Sequence, residues 1–204
     1  MKKKIITISR EFGSGGRKVG MEVAKELGIA YYDSKLVAKI AKETGFDKDF
    51  IAESSEFAPE KRGYFFNLSQ AGMSGTGTLS LYDQIYICQY NLIKELADKS
   101  PCVIVGRCAD YILRERTDCL HFFIHADMKD RIHRITHNYG LADQHPKKLL
   151  HEMDEKRQTY YRNYTLREWA DRENYDAMLN SATLGVEGCV DIITSLFRKM
   201  NKEA

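Results

Sequence analysis

The sequence predicts an α/β fold in which a central parallel sheet of five strands is covered by helices on both faces. Short apolar runs alternate with segments of helical periodicity, a pattern typical of βα units. The run over residues 102–105 is continuously apolar, as expected for a strand buried on both faces. With 204 residues, 43% of them hydrophobic, the chain is long enough for one well-cored domain, which we expect to span residues 1–204.

The first quarter of the chain contains two predicted strands and three helices. Residues 4–8 form a β-branched strand that runs into Gly13-Ser14-Gly15-Gly16, and helical periodicity starts near Lys18. Gly28 is placed to end that helix, and residues 29–32 form a second strand that stops at Asp33. Helices over residues 36–41 and 46–51 follow.

The remaining elements continue the alternation. Residues 57–80 lack periodicity and are rich in glycine, so we expect a mobile insertion there. The predicted elements after it are a helix over 81–99, a strand over 102–105, a short helix over 109–113, a strand over 120–124, helices from 128 to Gly140 and over 146–164, a strand over 175–180 and a closing helix over 186–200.

The glycine-rich turn has the parts of a phosphate cradle. Glycine tolerates positive φ, which lets the backbone wrap around an anion, and the following helix start adds partial positive charge. In the P-loop pattern G-x-x-x-x-G-K-[ST], with Gly15 as the second glycine, Arg10 takes the first glycine, Gly16 the lysine and Arg17 the hydroxyl residue. That pattern is therefore not satisfied.

Two other interpretations of the turn are open. Gly13 and Gly15 begin a dinucleotide fingerprint, with Asp33 at the distance of a ribose acid, but Lys18 stands at its third glycine. The turn is also compatible with a ligand-free βα connection. Two cations beside four residues, Gly-Ser-Gly-Gly, favour an anion site over that alternative.

Arginines gather where a parallel sheet binds ligands, beyond the carboxyl ends of its strands. If the predicted topology holds, seven arginines are placed to converge on one anion-binding cleft: Arg10, Arg17, Arg107, Arg131, Arg134, Arg157 and Arg162. Arg131 and Arg134 are expected to lie away from the apolar face of their helix. The alternative for each arginine is a solvated helix face, and it is weakest for Arg107, which directly follows a buried strand.

Composition limits the remaining function classes. The formal net charge of +2 is too mild to indicate a nucleic-acid partner, and the sequence lacks an apolar run of membrane-spanning length. We predict a cytoplasmic protein whose five cysteines are reduced thiols. A homo-oligomer is compatible with the sequence.

The order of motifs resembles cytidylate kinases, in the nucleoside monophosphate kinase branch of P-loop proteins, and more closely the cytidylate-kinase-like group. The matching segments are Ile6-Thr7-Ile8 with Gly13-Ser14-Gly15, Tyr32-Asp33-Ser34, Gly106-Arg107, Lys129-Asp130-Arg131-Ile132-His133-Arg134, Arg157 with Arg162-Asn163, and Asn180-Ser181-Ala182-Thr183-Leu184. The resemblance covers most of the chain. It implies a three-layer P-loop NTPase fold with a small helical lid over about residues 128–165.

The resemblance also implies a reaction: transfer of the γ-phosphoryl group of ATP, with Mg²⁺, to a nucleoside monophosphate or similar acceptor. The implied roles are donor-phosphate binding by Gly13, Ser14, Gly15, Gly16 and Arg17, catalysis by Arg17, Lys18, Arg131 and Arg134, and acceptor binding by Asp33, Ser34, Arg107, Arg157 and Arg162. The metal ligands stay open, with Ser14 and Ser9 as candidates.

Two departures from the family pattern leave a second function open. The loop lysine is Gly16, followed by Arg17 and Lys18, and the aspartate after glycine-arginine is Cys108. A nucleotide-binding sensor or partner-binding module without catalysis is therefore the alternative, and a nicotinamide-dependent oxidoreductase ranks third.

Overall fold

Within the described residues, five strands form one parallel sheet. A computed structural model describes residues 2–33, 36, 40, 42, 45, 80–140 and 145–202. The strands are β1 (Ile5–Arg10), β2 (Ala30–Tyr32), β3 (Cys102–Val105), β4 (Cys119–His125) and β5 (Ala177–Asn180), in the order β2-β3-β1-β4-β5. Ile8 of β1 pairs with Val105 of β3 on one side and Phe122 of β4 on the other. The predicted α/β fold with a five-stranded parallel sheet is confirmed.

The helices follow the predicted order, with shifted ends. They are α1 (Gly16–Leu27), α2 (Leu81–Lys99), α3 (Ala109–Ile112), α4 (Met128–His133), α5 (Pro146–Thr165) and α6 (Ser181–Lys202), with a π-helical turn at Arg134–Asn138 and a 3₁₀ turn at Arg172–Asn174. The start of α1 is two residues earlier than predicted because Gly15 caps it in a left-handed conformation. The last helix also starts earlier, at Ser181, and is kinked at Gly185.

The sheet separates two apolar layers, as the uninterrupted apolar strands predict. Alternate strand residues face opposite sides, so Ile5 packs with α2 and α3 while Ile6 and Ile8 pack with α1 and α6. The described part of the predicted helix over 36–41 contributes Leu36 and Ile40 to the first layer, both fully buried. The helix predicted over 46–51 and the insertion predicted over 57–80 lie outside the described residues, apart from Ser80.

A third cluster is aromatic and joins α5 to the sheet. Tyr160, Tyr161 and Tyr164 of α5 are buried with Trp169 against Phe123 of β4. The Tyr164 ring stacks on that of Tyr86 from α2, with centroids 4.0 Å apart. These aromatic residues therefore fix α5 on the sheet.

Two other sequence features have structural counterparts. All five cysteines are free, and all except Cys88 are buried. No helix among the described residues is long and apolar enough to cross a membrane.

Gly20 lets α1 pack closely on the sheet, and its replacement by alanine tests this contact. A methyl group there would lie 2.6 Å from Val105 Cγ2, a buried strand atom that has little room to move. We expect Gly20→Ala to lower the free energy of unfolding by about 1–3 kcal/mol in urea denaturation. Gly188→Ala, in α6, is the control, because its methyl group would meet only Leu184 Cβ at 3.4 Å. Helix propensity then predicts a gain of about 0.5–1 kcal/mol, and equal effects of the two substitutions would contradict this account of the packing.

Candidate functional site

The turn between β1 and α1 has the geometry that suits an anion. Gly13 and Gly15 have φ angles of 78° and 81°, in the left-handed region that glycine adopts without strain. Gly15 caps the 12-residue α1, whose amino-terminal N–H groups and dipole favour negative charge. The predicted succession of strand, glycine-rich turn and helix start is therefore present.

Ser14 holds this turn in shape. Its side chain is fully buried, its Oγ donates to the Glu11 carbonyl oxygen at 2.9 Å, and the Gly16 N–H donates to Oγ at 3.3 Å. From the opposite side, Ser181 Oγ donates to the Ser14 carbonyl oxygen at 2.5 Å. The Ser14 hydroxyl is thus engaged within the turn.

Arg17 and Asp33, predicted for donor and acceptor binding, lie together. The Arg17 Nε atom is 2.5 Å from Asp33 Oδ2, with the Arg17 side chain 65% exposed and that of Asp33 only 8% exposed. Tyr31 Oη lies 3.4 Å from the same carboxylate oxygen. Burial raises the pKa of Tyr31 to about 12, the charge of Asp33 adds to this shift, and Arg17 opposes it. The Arg17 guanidinium is therefore directed to the β2 side of the cradle.

Lys18 faces the other side of α1. It lines a groove of about 810 Å³ between α1 and α6, together with Glu22 and Glu26 of α1 and Glu187 and Asp191 of α6. Lys18 is thus placed on the α6 side of α1, in a groove that four acidic residues also line.

Arg131 is more buried in the structure than the sequence predicted. Its side chain is buried, pairs with Asp154 of α5, lies 3.4 Å from Glu11 and donates from Nε to the Phe12 carbonyl oxygen at 2.8 Å. The expectation that Arg131 lies away from the apolar face of its helix is wrong, because Arg131 is buried, as Ile135 is, and α5 and the loop after β1 cover it. A helical periodicity cannot reveal a partner so distant in sequence.

Arg134 reaches the cradle directly. Its Nη1 atom donates to the Gly13 carbonyl oxygen at 2.7 Å. A Cβ atom added to Gly15 would lie 3.5 Å from Arg134 Cζ and 3.3 Å from Val186 Cγ2. Arg134 therefore forms one edge of the turn, and the start of α6 forms the other.

Arg107 is a buried cation without a counterion among the described residues. Its residue is 7% exposed, and within the described part of the chain its Nε and Nη1 atoms have no hydrogen-bond partner. Gln89 of α2 donates to the Arg107 carbonyl oxygen at 3.0 Å, which holds the backbone in its left-handed conformation with φ of 63°. A buried guanidinium in this state is costly unless an anion joins it.

Of the other residues predicted to bind the acceptor, one lies near the end of β1, one is exposed and one is outside the described residues. Arg157 of α5 donates from Nη1 to the Arg10 carbonyl oxygen at 3.2 Å, so it reaches the end of β1. Arg162 is exposed and pairs with Glu168 at 2.8 Å, on the outer end of α5. Ser34 lies outside the described residues.

Asp110 is a site residue that sequence reasoning missed. This buried carboxylate follows β3, accepts from Tyr161 Oη at 2.6 Å and from Ser9 Oγ at 3.2 Å, and has a pKa raised by burial, which the Tyr161 bond opposes. Cys108, at the family's aspartate position, has a thiol whose pKa burial raises well above its usual value. An acid within an apolar helical face, between Ala109 and Ile112, was the available signal.

The residues around the cradle do not fit the Mg²⁺ ligands of a P-loop. Arg17 stands where the metal-binding hydroxyl belongs, and Asp33 is paired with it. Of the two alternative hydroxyls, that of Ser14 donates to the Glu11 carbonyl oxygen, and that of Ser9 donates to the Asp110 carboxylate. Among the described residues no group of three histidine, cysteine or acidic side chains is arranged to hold a metal.

The five-stranded parallel sheet and its helices have the architecture of the P-loop kinase fold. A family model described as the cytidylate kinase-like family matches residues 5–183. The chain belongs to this family. A search of curated proteins found no match.

Solved structures agree with this assignment of the fold. An uncharacterized protein from Eubacterium ventriosum ATCC 27560 is 25% identical with a TM-score of 0.71, over 96% of this chain and 99% of that one. A gluconokinase from Sinorhizobium meliloti 1021 is 14% identical with a TM-score of 0.55, over 100% of this chain and 97% of that one. A shikimate kinase from Acinetobacter baumannii, in complex with shikimate, is 14% identical with a TM-score of 0.53, over 97% and 94%. The two kinases support the fold alone.

The buried Asp110 carboxyl makes a pH-dependent contribution to stability that substitution can remove. Its pKa is higher in the folded than in the unfolded protein, so its contribution is largest below the ordinary value of about 4 and declines as pH rises above it. Asp110→Asn does not titrate. The free energy of unfolding of the variant minus that of the wild type should therefore increase as pH rises above about 4 in urea denaturation.

Tyr161→Phe is the matched variant for this prediction. It removes the hydrogen bond that lowers the pKa of Asp110 while keeping the carboxyl group. The pH dependence should therefore steepen in Tyr161→Phe and flatten in Asp110→Asn. Parallel profiles for the three proteins would show that Asp110 does not titrate as described.

Proposed function

We propose that this chain transfers the γ-phosphoryl group of ATP to a nucleoside monophosphate or a similar phosphorylated acceptor. The whole of residues 1–204 would act as one kinase-like domain, with residues 128–165 as its lid and residues 57–80 as an insertion. Family membership supports nucleotide binding and a kinase-like reaction. The acceptor is the part of the proposal that rests on the site.

The observation that carries the proposal is the buried guanidinium of Arg107. Arg107 comes two residues after the end of β3, whose Val105 pairs with Ile8 of β1, and β1 leads into the phosphate cradle. An arginine without a counterion among the described residues, one strand away from a donor cradle, is suited to an acceptor that brings its own anion. Its planar fork of N–H groups matches phosphate oxygens in a bidentate manner.

The donor side would use the backbone of Gly13 to Gly16 as the cradle. Arg134, already bonded to the Gly13 carbonyl oxygen, is placed to contact donor phosphates. Arg17 is the other cation at the mouth of the turn, and it would have to exchange Asp33 for phosphate. Arg131 and Lys18 would contribute through the field of the site, since one pairs with Asp154 and the other faces the acidic groove.

In this reaction the protein itself would form no covalent bond with the transferred phosphoryl group. An oxygen of the acceptor phosphate would bond to the γ-phosphorus of ATP while the bond from that phosphorus to the β,γ-bridging oxygen breaks, releasing ADP. Because the attacking oxygen is already ionised, the step needs no general base. Positioning and charge stabilisation by arginines and backbone N–H groups would supply catalysis.

A nucleotide-binding sensor without catalysis is the second candidate. The lysine position of the cradle is Gly16, and Arg17 is occupied by Asp33. Both features favour binding without transfer, and calorimetry beside a turnover assay separates the two functions.

A coupled assay of ADP release tests the proposal. The protein is expected to turn over ATP with at least one of the common ribo- or deoxyribonucleoside monophosphates, and the assay should cover all of them. Tight ATP binding in calorimetry without turnover on any acceptor would establish the sensor instead.

Arg107→Met tests the acceptor site. We expect kcat/KM for the acceptor to fall about 100-fold, or about 2.7 kcal/mol, mainly through KM, while ATP affinity stays within about threefold. Removal of a buried charge that has no counterion among the described residues should leave thermal stability unchanged or raised. The control is Arg114→Met, whose exposed guanidinium lies over the Tyr111 ring and beside Glu115. A stable Arg107→Met enzyme with an unchanged acceptor KM would remove Arg107 from the acceptor site.

A separate prediction follows because the residues around the cradle do not provide the Mg²⁺ ligands of a P-loop. Because residue 17 offers no hydroxyl, ADP affinity measured by calorimetry should change by less than about threefold when Mg²⁺ is replaced by EDTA. Arg17→Ser restores the hydroxyl and frees Asp33, so metal dependence should increase in that variant. Strong Mg²⁺ dependence in the wild type that Arg17→Ser does not change would show that other groups hold the metal.

A further inference from the structure

The register of the cradle places a glycine where a P-loop has its lysine. Gly15, with φ of 81°, caps α1, and Gly16 is the first helical residue. In a P-loop the lysine immediately follows the last glycine of the loop and reaches the β- and γ-phosphates. The position that lacks the lysine is therefore residue 16 by structure as well as by pattern.

Residue 16 lacks a side chain because Arg10 fills the space. A Cβ atom on Gly16 would lie 2.5 Å from Arg10 Cβ and 3.1 Å from both Arg10 Cγ and Ile124 Cβ. Arg10 ends β1 and stands where the P-loop pattern has its first glycine. The arginine and the glycine thus exchange places relative to the P-loop pattern.

A second glycine makes room for the other end of the same side chain. Gly106, with φ of 73°, packs directly against the Arg10 guanidinium, whose Cζ would lie 3.0 Å from an added Cβ. The residue after Gly106 is Arg107. The Arg10 side chain therefore extends from the start of α1, beside its Cβ and Cγ, to the end of β3, beside its guanidinium.

Two further contacts place Arg10 in this region. Its carbonyl oxygen accepts from Arg157 Nη1 at 3.2 Å, which joins it to α5. Its charge also reaches Tyr31, whose pKa burial raises and Arg10, like Arg17, lowers. Arg10 is thus near the end of β2 as well as those of β1 and β3.

We propose that Arg10 supplies the positive charge of the missing P-loop lysine and contacts the β- and γ-phosphates of the donor. This inference rests on the proposed function for its donor. It differs from the assignment of that role to Arg17 or Lys18, since the Arg17 guanidinium is directed to Asp33 and Lys18 lines the groove between α1 and α6, whereas the Arg10 side chain lies beside Gly16 itself. The five N–H donors of Arg10 would bind from the strand side of the cradle instead of the helix side.

Arg10→Met is the principal test, because methionine keeps an unbranched side chain beside Gly16 and removes the charge. Calorimetry with inorganic tripolyphosphate, ATP, ADP and AMP reports the contact without turnover. We expect affinity for tripolyphosphate and ATP to fall about tenfold or more and AMP affinity to change by less than about twofold. Turnover, where measured, should fall about 100-fold in kcat/KM.

A positional exchange makes the test reciprocal. Gly16→Lys alone should be destabilised in thermal unfolding because its side chain meets Arg10. The double variant Arg10→Gly with Gly16→Lys restores the P-loop arrangement and should recover both folding and at least a tenth of the ATP affinity. Arg114→Met again serves as the surface control.

The outcomes separate this inference from the proposed function. Folded Arg10→Met protein that binds tripolyphosphate and ATP as the wild type does would overturn the role of Arg10, whatever the turnover. Wild-type protein that binds neither would overturn it also. Loss of ATP affinity in Arg10→Met without turnover on any acceptor would support Arg10 and reject the kinase reaction.

Discussion

The arrangement of the site depends on close packing around the Arg10 side chain at two glycines, residues 16 and 106. These glycines lie on either side of the Arg10 side chain, and a Cβ atom at residue 16 would meet Arg10 Cβ at 2.5 Å. The Gly106 N–H donates to the Ile8 carbonyl oxygen at 2.9 Å, so the end of β3 is held directly against β1. This contact fixes where Arg107 leaves the sheet. The donor cradle and the acceptor arginine are thus positioned by the same close packing around Arg10.

Charge pairing distinguishes Arg107 from several other arginines near the cradle. Within the described part of the chain, the acidic partners include Asp154 for both Arg131 and Arg157, Asp33 for Arg17 and Glu168 for Arg162. The two pairs with Asp154 have mostly buried side chains, where loss of one partner costs several kcal/mol, whereas pairs with an exposed arginine contribute little. Arg107 is as buried as Arg131 but has no acid beside it in the described part of the chain. A fold that tolerates this cost is expected to recover it when an anionic ligand binds.

The sequence was sufficient for the architecture because the relevant signals are local. Apolar strands, a capping glycine at residue 28 and helical periodicity each depend on neighbours within a few residues, and the strands and helices appear in the predicted order. The directions of the charged side chains depend on partners far along the chain. Arg131 meets Asp154 across 23 residues, and Arg10 packs on Gly106 across 96 positions of sequence, so neither contact has a local pattern. Asp110 was overlooked for the same reason, since its partners Ser9 and Tyr161 come from β1 and α5.

Asp154 also constrains how the proposed lid can move. Its carboxylate accepts from the Phe12 N–H at 2.8 Å and pairs with Arg131, while Arg131 Nε donates to the Phe12 carbonyl oxygen. The loop after β1, α4 and α5 are therefore joined by one buried charged cluster. Opening this cluster would expose or leave unpaired a buried ion, at a cost of about 3–5 kcal/mol. A lid that rotated as a whole over a fixed cradle would break these bonds, so closure on a ligand is expected to carry Phe12 along with Arg131 and α5. Donor binding in the cradle and lid position would then be coupled through the backbone of the loop itself.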